Sequence, residues 1–426
     1  MAEATHPCLD FLPAGPRAFA AVESETHGTT LVANQALPPH SLLFRLPSKF
    51  LVTYEAVCAT ALSKVIREVV ATTSKDDNDS TSSIIMSPEE LTWLNMVYWL
   101  VSSEKTSHQV YLKSLSVVPP NVSAWSQPLR DELIGSNVYA VLDESGKSDN
   151  VDGNVRVVQN LLIKLERIRD VLKKKNMTED SVVCGILLEA PESSIFTATS
   201  ISWARGHFLS RRFPELLDKF RNTVKTEHHL AGYGNATSMF IPALDLMNHT
   251  PVTTNACTIE ITPDYLQVCT CDLPLKSGDE LFYCYAEGGL SNEVLLQGYG
   301  FCLPNNPADT VSVKICGTSE TPAFCIGRGG ASAIPSDMWR AIAGMNSATD
   351  DENIEIGSGD LELLVQYMTN KLTQLNTTSL NNKTSKTASD ESNTDKERLS
   401  YIEMYKSGQR EILEALIQDL SSMLEG

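Results

Sequence analysis

The alternation of apolar and polar positions predicts strands, then helices, then strands, then helices along this chain. β-branched and aromatic residues between turn signals predict short strands at Thr29–Ala33 and Ser41–Pro47. Apolar residues at helical spacing predict a helix over 55–70. The polar residues 72–83 that follow lack any apolar period, so we predict a loop there.

The strongest local signal is a helix start at Ser87-Pro88-Glu89-Glu90. Serine suits the N-cap, proline the first helical position and glutamate the third, which together form a capping box. We expect this helix to bury Leu91, Leu94, Val97, Tyr98 and Val101. Apolar spacing predicts further helices over 153–175 and 199–221.

The second half of the chain returns to strands and then to helices. Residues 239–316 predict strands and turns, including Cys257–Glu260, Tyr265–Cys271 and Leu281–Tyr285. Helices are predicted at Asp360–Gln374 and Glu397–Leu424, with a polar, disordered linker over 376–395. The pattern therefore predicts an α+β protein, in which one β-rich core is interrupted by a helical insert and followed by a helical lobe.

The charge composition of the chain narrows the classes of molecule that it could bind. The chain has 426 residues, with 53 acidic against 34 basic side chains and a net charge of -19, which disfavours nucleic acid and favours basic proteins. No apolar run is long enough for a membrane span, and the first residues do not resemble a secretory signal. The ten cysteines form no CxxC pair, so we expect reduced cysteines and no metal. We expect a monomer located in the cytoplasm, with the nucleus as a possible second compartment.

Three segments carry candidate chemistry. In the first, Pro242–Thr250, an apolar run suddenly contains Asp245, Asn248 and His249. Side chains of these types at a turn can fix neighbouring strands and present backbone groups. When this segment stands alone, a simple polar turn after a strand explains it better.

The second and third segments place aromatic residues beside glycine-containing turns. Ser277–Gly288 leads into a strand on which Tyr283 and Tyr285 point to the same face. A short helix then begins near Ser291 and ends at Tyr299-Gly300-Phe301, whose aromatic rings could wall a flat ligand such as a nucleobase. Each pattern alone is also typical of core packing.

In this order and spacing, the three segments resemble SET-domain protein methyltransferases of the Rubisco large-subunit lysine methyltransferase-like family. The shared motifs are NH[ST], then G-[DE]-[EQ]-x-x-x-x-Y, then S-N-x-x-L-x-x-x-Y-G-F. In addition, Trp203-Ala204 followed by Ser210-Arg211-Arg212-Phe213 is similar to that family's W-A-x-G-x-x-x-S-R-x-F helix.

The resemblance implies a threaded, pseudoknot-like SET domain over residues 15–320. Its β-rich core is split between residues 15–55 and 200–320 by a helical insert over 56–199. A helical lobe over 321–426 would take part in binding the protein substrate.

The resemblance also implies an S-adenosylmethionine-dependent protein-lysine N-methyltransferase acting on a non-histone protein. Tyr285 would be the active-site phenol, and Asp245 and Tyr299 would line the channel for the substrate lysine. Cofactor contacts are implied for His27, Gly28, Thr29, Arg211, Asn248, His249 and Phe301.

One departure from the family pattern is Thr30, which stands where the family has a second glycine. Because glycine lets a backbone approach a ligand closely, this threonine motivates an alternative, a non-catalytic interaction module on the same fold. Protein-histidine methylation, which occurs in relatives of this fold, is a further alternative that the sequence leaves open.

Overall fold

The computed structural model of this chain divides into two compact units. The first comprises Met1–Pro120 and Val151–Glu287, and the second comprises Asn121–Asn150 and Gly288–Gly426. These two units do not correspond one to one with the predicted core, insert and C-terminal lobe, whose boundaries stay a prediction. The structure describes residues 9, 12, 17–24, 28–73, 84–102, 106–142, 153–175, 182–190, 192–224, 238–314, 323–344, 356–376 and 392–425.

The strands of the first unit come from both ends of its sequence. They are β1 (Phe19–Ser24), β2 (Gly28–Ala33), β3 (Leu42–Pro47), β4 (Asn248–His249), β5 (Thr258–Ile261), β6 (Tyr265–Cys269) and β7 (Phe282–Tyr283). β1 pairs antiparallel with β2, β6 lies between β3 and β5, and β4 pairs parallel with β7. Leu46 of β3 faces Leu266 of β6, and both are fully buried. Strands from residues 28–53 and 248–283 thus share one core, whereas the strand Thr310–Val313 belongs to the second unit.

Helices fill the sequence between these strands and most of the second unit. They are α1 (Tyr54–Ala59), α2 (Ala61–Thr73), α3 (Pro88–Val101), α4 (Ser107–Lys113), α5 (Gln127–Asp131), α6 (Asn137–Leu142), α7 (Gly153–Lys174), α8 (Val182–Leu188), α9 (Ala198–Arg211), α10 (Pro214–Val224), α11 (Asn292–Tyr299), α12 (Ser336–Gly344), α13 (Ser358–Leu375) and α14 (Asn393–Glu425). The second unit also contains the antiparallel strands β8 (Thr310–Val313) and β9 (Phe324–Gly327).

The capping box predicted for α3 is present. The Ser87 hydroxyl accepts from the Glu90 amide at 3.1 Å, and the Glu90 carboxylate accepts from the Ser87 amide at 2.7 Å. The predicted burial of Leu91, Leu94 and Val97 is confirmed, and Tyr98 is half-buried. The prediction for Val101 is wrong, because this last residue of the helix is 51% exposed.

Two predicted helices are each divided in two. The helix predicted over 55–70 ends at Ala59, and the Thr60 hydroxyl accepts from the Ser63 amide at 3.1 Å, which caps the start of α2. The helix predicted over 199–221 breaks after Arg211. Pro214 disfavours helical backbone at Phe213, whose amide instead donates to the Met239 carbonyl at 2.9 Å.

In the second unit, α13 and α14 pack against the β8–β9 ribbon around Leu364, Met368, Ile412 and Leu416. Both helices are where the sequence predicted them. Because α14 begins at Asn393, the predicted linker over 376–395 is wrong for its last three residues. Residues 377–391 of that linker lie outside the described residues. The loop predicted over 72–83 is wrong for Thr72 and Thr73, which end α2, and residues 74–83 lie outside the described residues.

The α+β prediction is confirmed by this mixture of helices with small open sheets. The pseudoknot-like threading stays a prediction. Within the described ranges, we found no helix with the length and apolar content that a bilayer span requires.

Candidate active site

A two-residue parallel pairing brings the first and second motif segments together. In β4 and β7, Asn248 pairs with Phe282 and His249 pairs with Tyr283. The chain beyond β7 continues along the same edge, so the Tyr285 amide donates to His249 Nδ1 at 3.1 Å. The two rings lie 4.9 Å apart between centroids. The structure therefore brings the predicted cofactor-binding histidine and the predicted catalytic phenol into contact.

The phenol of Tyr285 has a fixed position at the Asn-His turn. Its hydroxyl donates to the Met247 carbonyl at 3.0 Å, and the side chain is half-buried. This bond and the contact with His249 fix both ends of the tyrosine ring. A half-buried phenol that is oriented in this way can reach a substrate without first reorganising.

His249 is held in its neutral form. Burial lowers the pKa of His249 to about 4, although a hydrogen bond with the Tyr283 backbone acts in the opposite direction. Its Nδ1 accepts a hydrogen bond from the Tyr285 amide, which a protonated imidazole could not do. At neutral pH this ring thus adds no positive charge beside Tyr285.

Asp245 forms the charged part of the site. Its side chain is 0% exposed and pairs with Arg211 at 2.9 Å between Oδ2 and Nη1. The same guanidinium donates to the Asp245 backbone carbonyl at 3.2 Å. Two residues upstream, Ala243 has a φ of 70°, which is uncommon for a residue with a Cβ. Asp245 and Arg211, both predicted from the sequence, therefore act as one buried ion pair at a strained turn.

Tyr111 of α4 is a site residue that the sequence did not indicate. Its side chain is fully buried and its hydroxyl donates to Asp245 Oδ2 at 2.7 Å. A tyrosine in an amphipathic helix is ordinarily a packing residue, so only the tertiary structure identifies it as a partner of Asp245. Arg211 and Tyr111 thus hold the same carboxylate oxygen from different helices.

Replacing Tyr111 by phenylalanine is expected to lower the free energy of unfolding by about 1.5–3 kcal/mol, because a buried hydrogen bond to a charged group is lost. Urea unfolding followed by tryptophan fluorescence measures this change. Tyr265→Phe, on the half-buried strand β6, is the matched control and should change stability by no more than about 0.5 kcal/mol. Equal losses in the two variants would contradict the assignment.

The early strand predicted to hold the cofactor lies beside the second motif segment. Gly28, Thr29 and Thr30 belong to β2, whereas His27 lies outside the described residues. The Thr30 hydroxyl donates to Glu280 Oε1 at 2.7 Å. The Asn248 side-chain amide donates to the same oxygen, also at 2.7 Å. The structure therefore joins β2 to the Asn-His turn through one carboxylate.

Tyr299 and Phe301 belong to the second unit. α11 is capped at its start by Ser291 and ends at Gly300, whose φ of 79° is readily adopted by glycine. This turn brings the Tyr299 and Phe301 rings to 6.3 Å between centroids, tilted by 62°. Their predicted roles in the lysine channel and on the purine stay predictions.

The helix α9 that carries Arg211 is anchored by a shared backbone acceptor. Trp203 Nε1 donates to the Ser116 carbonyl at 3.0 Å, and His207 Nε2 lies 2.9 Å from the same oxygen. Burial, followed by the charge of Arg211, lowers the pKa of His207 to about 3, while the bond with Ser116 raises it. His207 is fully buried and neutral at neutral pH.

Acid is expected to destabilise the first unit through His207. An unfolded chain protonates this histidine below about pH 6.5, whereas the folded chain does so only near pH 3. The free energy of unfolding should therefore decrease as the pH is lowered from about 6.5 towards 3, by at most about 1.4 kcal/mol per pH unit for this group. Urea unfolding between pH 5 and 7 measures the slope. His207→Gln should make the slope smaller without abolishing it, because the buried His249, whose pKa is lowered to about 4, contributes in the same direction. A slope in His207→Gln as steep as in the control variant His40→Gln, in which an exposed histidine is replaced, would count against this account.

No family model matches the chain. The ribosomal lysine N-methyltransferase set10 of Schizosaccharomyces pombe is 36% identical over 88 residues, which cover 20% of this chain and 16% of that protein. The chloroplastic ribulose-1,5 bisphosphate carboxylase/oxygenase large subunit N-methyltransferase of Pisum sativum is 22% identical over 310 residues, covering 70% of this chain and 50% of that protein. The chain spans half or less of the length of these curated relatives.

Solved structures match nearly the whole chain. The SET domain of LSMT bound to lysine and AdoHcy aligns with a TM-score of 0.65 and 17% identity, over 97% of this chain and 89% of that one. This chain has the SET-domain fold. A structure of Rubisco LSMT bound to AdoMet agrees, with a TM-score of 0.63 and 17% identity over 97% of this chain and 88% of that one. The SET fold predicted from the three motif segments is thereby confirmed.

Proposed function

We propose that this SET-fold protein is an S-adenosylmethionine-dependent protein-lysine N-methyltransferase that acts on a non-histone protein. The observation that carries the proposal is the half-buried phenol of Tyr285, whose hydroxyl donates to the Met247 carbonyl and whose ring lies against His249. The names of the relatives support the reaction, and those names refer to ribosomal lysine and to the large subunit of ribulose-1,5 bisphosphate carboxylase/oxygenase rather than to histones. The cytoplasmic location is a further part of the proposal.

The residues of the first unit fit the charged groups of S-adenosylmethionine, which carries an ammonium, a carboxylate and a sulfonium. Asn248 offers an amide, Arg211 a guanidinium and Gly28 a backbone without a side chain. Asp245 Oδ1 is buried and accepts no hydrogen bond from any residue in the described part of the chain. A buried carboxylate oxygen with remaining acceptor capacity is suited to a cation or its bound water.

The chemistry requires a neutral amine. A lysine with a pKa of about 10.4 is almost entirely protonated at neutral pH, and only the neutral amine has a lone pair for attack. A channel that excludes water disfavours the ammonium form. When bound, the cofactor supplies an activated methyl group on its sulfonium. No covalent intermediate with the protein is needed.

Tyr285 would orient the substrate amine, and the Met247 carbonyl would keep the phenol oxygen in position. Alignment of the reacting groups at about 3 Å supplies much of the rate. The neutral ring of His249 is compatible with this role, because a positive charge there would repel the sulfonium of the cofactor. Asp245 would line the channel of the substrate lysine.

Transfer of a labelled methyl group from S-adenosylmethionine to proteins of a cell extract tests the proposal. The purified chain should label at least one protein band that is absent without it. If the chain binds the cofactor in calorimetry yet labels nothing, the non-catalytic alternative is supported. If it neither binds the cofactor nor labels protein, the proposed function is wrong.

A further inference from the structure

The position where this chain departs from the family pattern contacts the proposed cofactor site through one carboxylate. Thr30 is 8% exposed and belongs to β2, where a β-branched side chain has few rotamers. Its hydroxyl donates to Glu280 Oε1 at 2.7 Å, and Asn248 Nδ2 donates to that oxygen at the same distance. These three residues come from segments far apart in the sequence.

Backbone hydrogen bonds fix the carboxylate between the other two residues. The Leu281 amide donates to the Leu31 carbonyl, and the Ala33 amide donates to the Asp279 carbonyl, each at 2.8 Å. These bonds place Glu280 beside β2. Immediately afterwards, Phe282 pairs with Asn248 in the parallel β4–β7 pair. The cluster of Thr30, Glu280 and Asn248 is thus positioned by the backbone on both sides.

The chemistry of the cluster determines how the Asn248 amide is oriented. An ionised carboxylate only accepts hydrogen bonds, so the side chain of Asn248 must direct its nitrogen, not its oxygen, towards Glu280. Because the amide is planar, its oxygen Oδ1 then points away from Glu280. The half-buried Asn248 therefore presents an acceptor on its other side. The Thr30 hydroxyl must likewise be a donor to Glu280, which helps to keep that carboxylate in place.

We infer that Thr30 and Glu280 are positioning residues that orient Asn248 to accept the α-ammonium group of S-adenosylmethionine. The inference rests on the proposed function and concerns only the amino-acid end of the cofactor. An ammonium is a donor without acceptors, and so it requires an oxygen, not the amide nitrogen, from Asn248. The charge on Glu280 also favours a cation nearby. Thr30 thus supports cofactor binding in this chain.

Binding of two ligands distinguishes a role of Thr30 in positioning Asn248 from a general effect of the substitution on the structure. S-adenosylhomocysteine has the α-amino acid end, whereas 5′-methylthioadenosine keeps the nucleoside and the thioether but lacks that end. By calorimetry, Thr30→Val should weaken S-adenosylhomocysteine binding by about 5- to 20-fold, the effect of one or two hydrogen bonds. Its affinity for 5′-methylthioadenosine should stay within about twofold of wild type. Thr30→Ser, which keeps the hydroxyl, should restore most of the lost affinity.

Further variants keep the inference testable if Thr30→Val folds poorly. Glu280→Ala should also lose affinity for S-adenosylhomocysteine but not for 5′-methylthioadenosine. In a protein that already carries Asn248→Ala, Thr30→Val should cause little further loss of affinity, because Thr30 acts through the Asn248 amide. If Thr30→Val and Glu280→Ala bind S-adenosylhomocysteine as tightly as the wild type, the inference is overturned and the proposed function stays intact. The same holds if these variants lose equal affinity for S-adenosylhomocysteine and 5′-methylthioadenosine. Failure of the wild-type chain to bind S-adenosylhomocysteine would overturn the proposed function together with this inference.

Discussion

Replacing Tyr285 by phenylalanine is expected to reduce methyl transfer by about 10²- to 10³-fold, the usual effect of removing one positioned polar group from an active site. The hydroxyl is fixed by its bond to the Met247 carbonyl, so its loss removes a group that is already in place for the substrate amine. The ring contact with His249 does not require the hydroxyl and should persist. The initial rate of label transfer to a cell extract measures the effect.

A matched control separates catalysis from folding in this variant. Tyr265→Phe removes a phenol hydroxyl from strand β6 of the same unit and should retain activity within about twofold. Tyr285→Phe should also bind S-adenosylhomocysteine within about threefold of the wild type, because the hydroxyl donates to the backbone carbonyl of Met247, which this variant leaves in place. A Tyr285→Phe protein that transfers methyl groups as fast as Tyr265→Phe would contradict the role of the phenol.

Replacing Arg211 by methionine is expected to lower the free energy of unfolding by about 3–5 kcal/mol, the usual cost of removing one partner from a buried ion pair. Asp245 is 0% exposed and Arg211 is 18% exposed. Without the guanidinium, the buried carboxylate keeps the Tyr111 hydroxyl but loses its opposite charge. Urea unfolding followed by tryptophan fluorescence measures the loss.

Two controls test whether burial is the cause. Arg328 and Glu411 form an exposed pair at 2.7 Å, with 39% and 57% of their side chains exposed. Arg328→Met should therefore cost no more than about 1 kcal/mol. The double variant Arg211→Met with Asp245→Asn should be more stable than Arg211→Met alone, because no unpaired charge remains buried. A cost for Arg211→Met as small as that for Arg328→Met would rule out the buried pair as a major source of stability.

Much of the candidate site was predictable because its residues lie in short, ordered motifs. The Asn-His turn and the tyrosine strand were identified as separate segments, and the parallel pairing of β4 with β7 joins them. The helix that carries Arg211 was also predicted, although its end was not. Its break after Arg211 follows from Pro214, a signal that was present in the sequence.

Residues whose role depends on long-range contacts could not be predicted in this way. Tyr111 has the pattern of a core residue in α4, and its link to Asp245 exists only in the folded chain. Thr30 differs from the family pattern, which from the sequence suggests weaker cofactor binding. Its bond to Glu280, 250 positions away, forms only in the folded chain and cannot be deduced from spacing along the sequence.

The most direct test is mass spectrometry of the methylated product. A cell extract is incubated with the chain and with S-adenosylmethionine that carries a deuterated methyl group, and labelled peptides are sequenced. The account predicts deuterated methyl groups on lysine side chains of a non-histone protein, present with the wild type and almost absent with Tyr285→Phe. Label found on histidine, or no label beyond that seen with Tyr285→Phe, would contradict it.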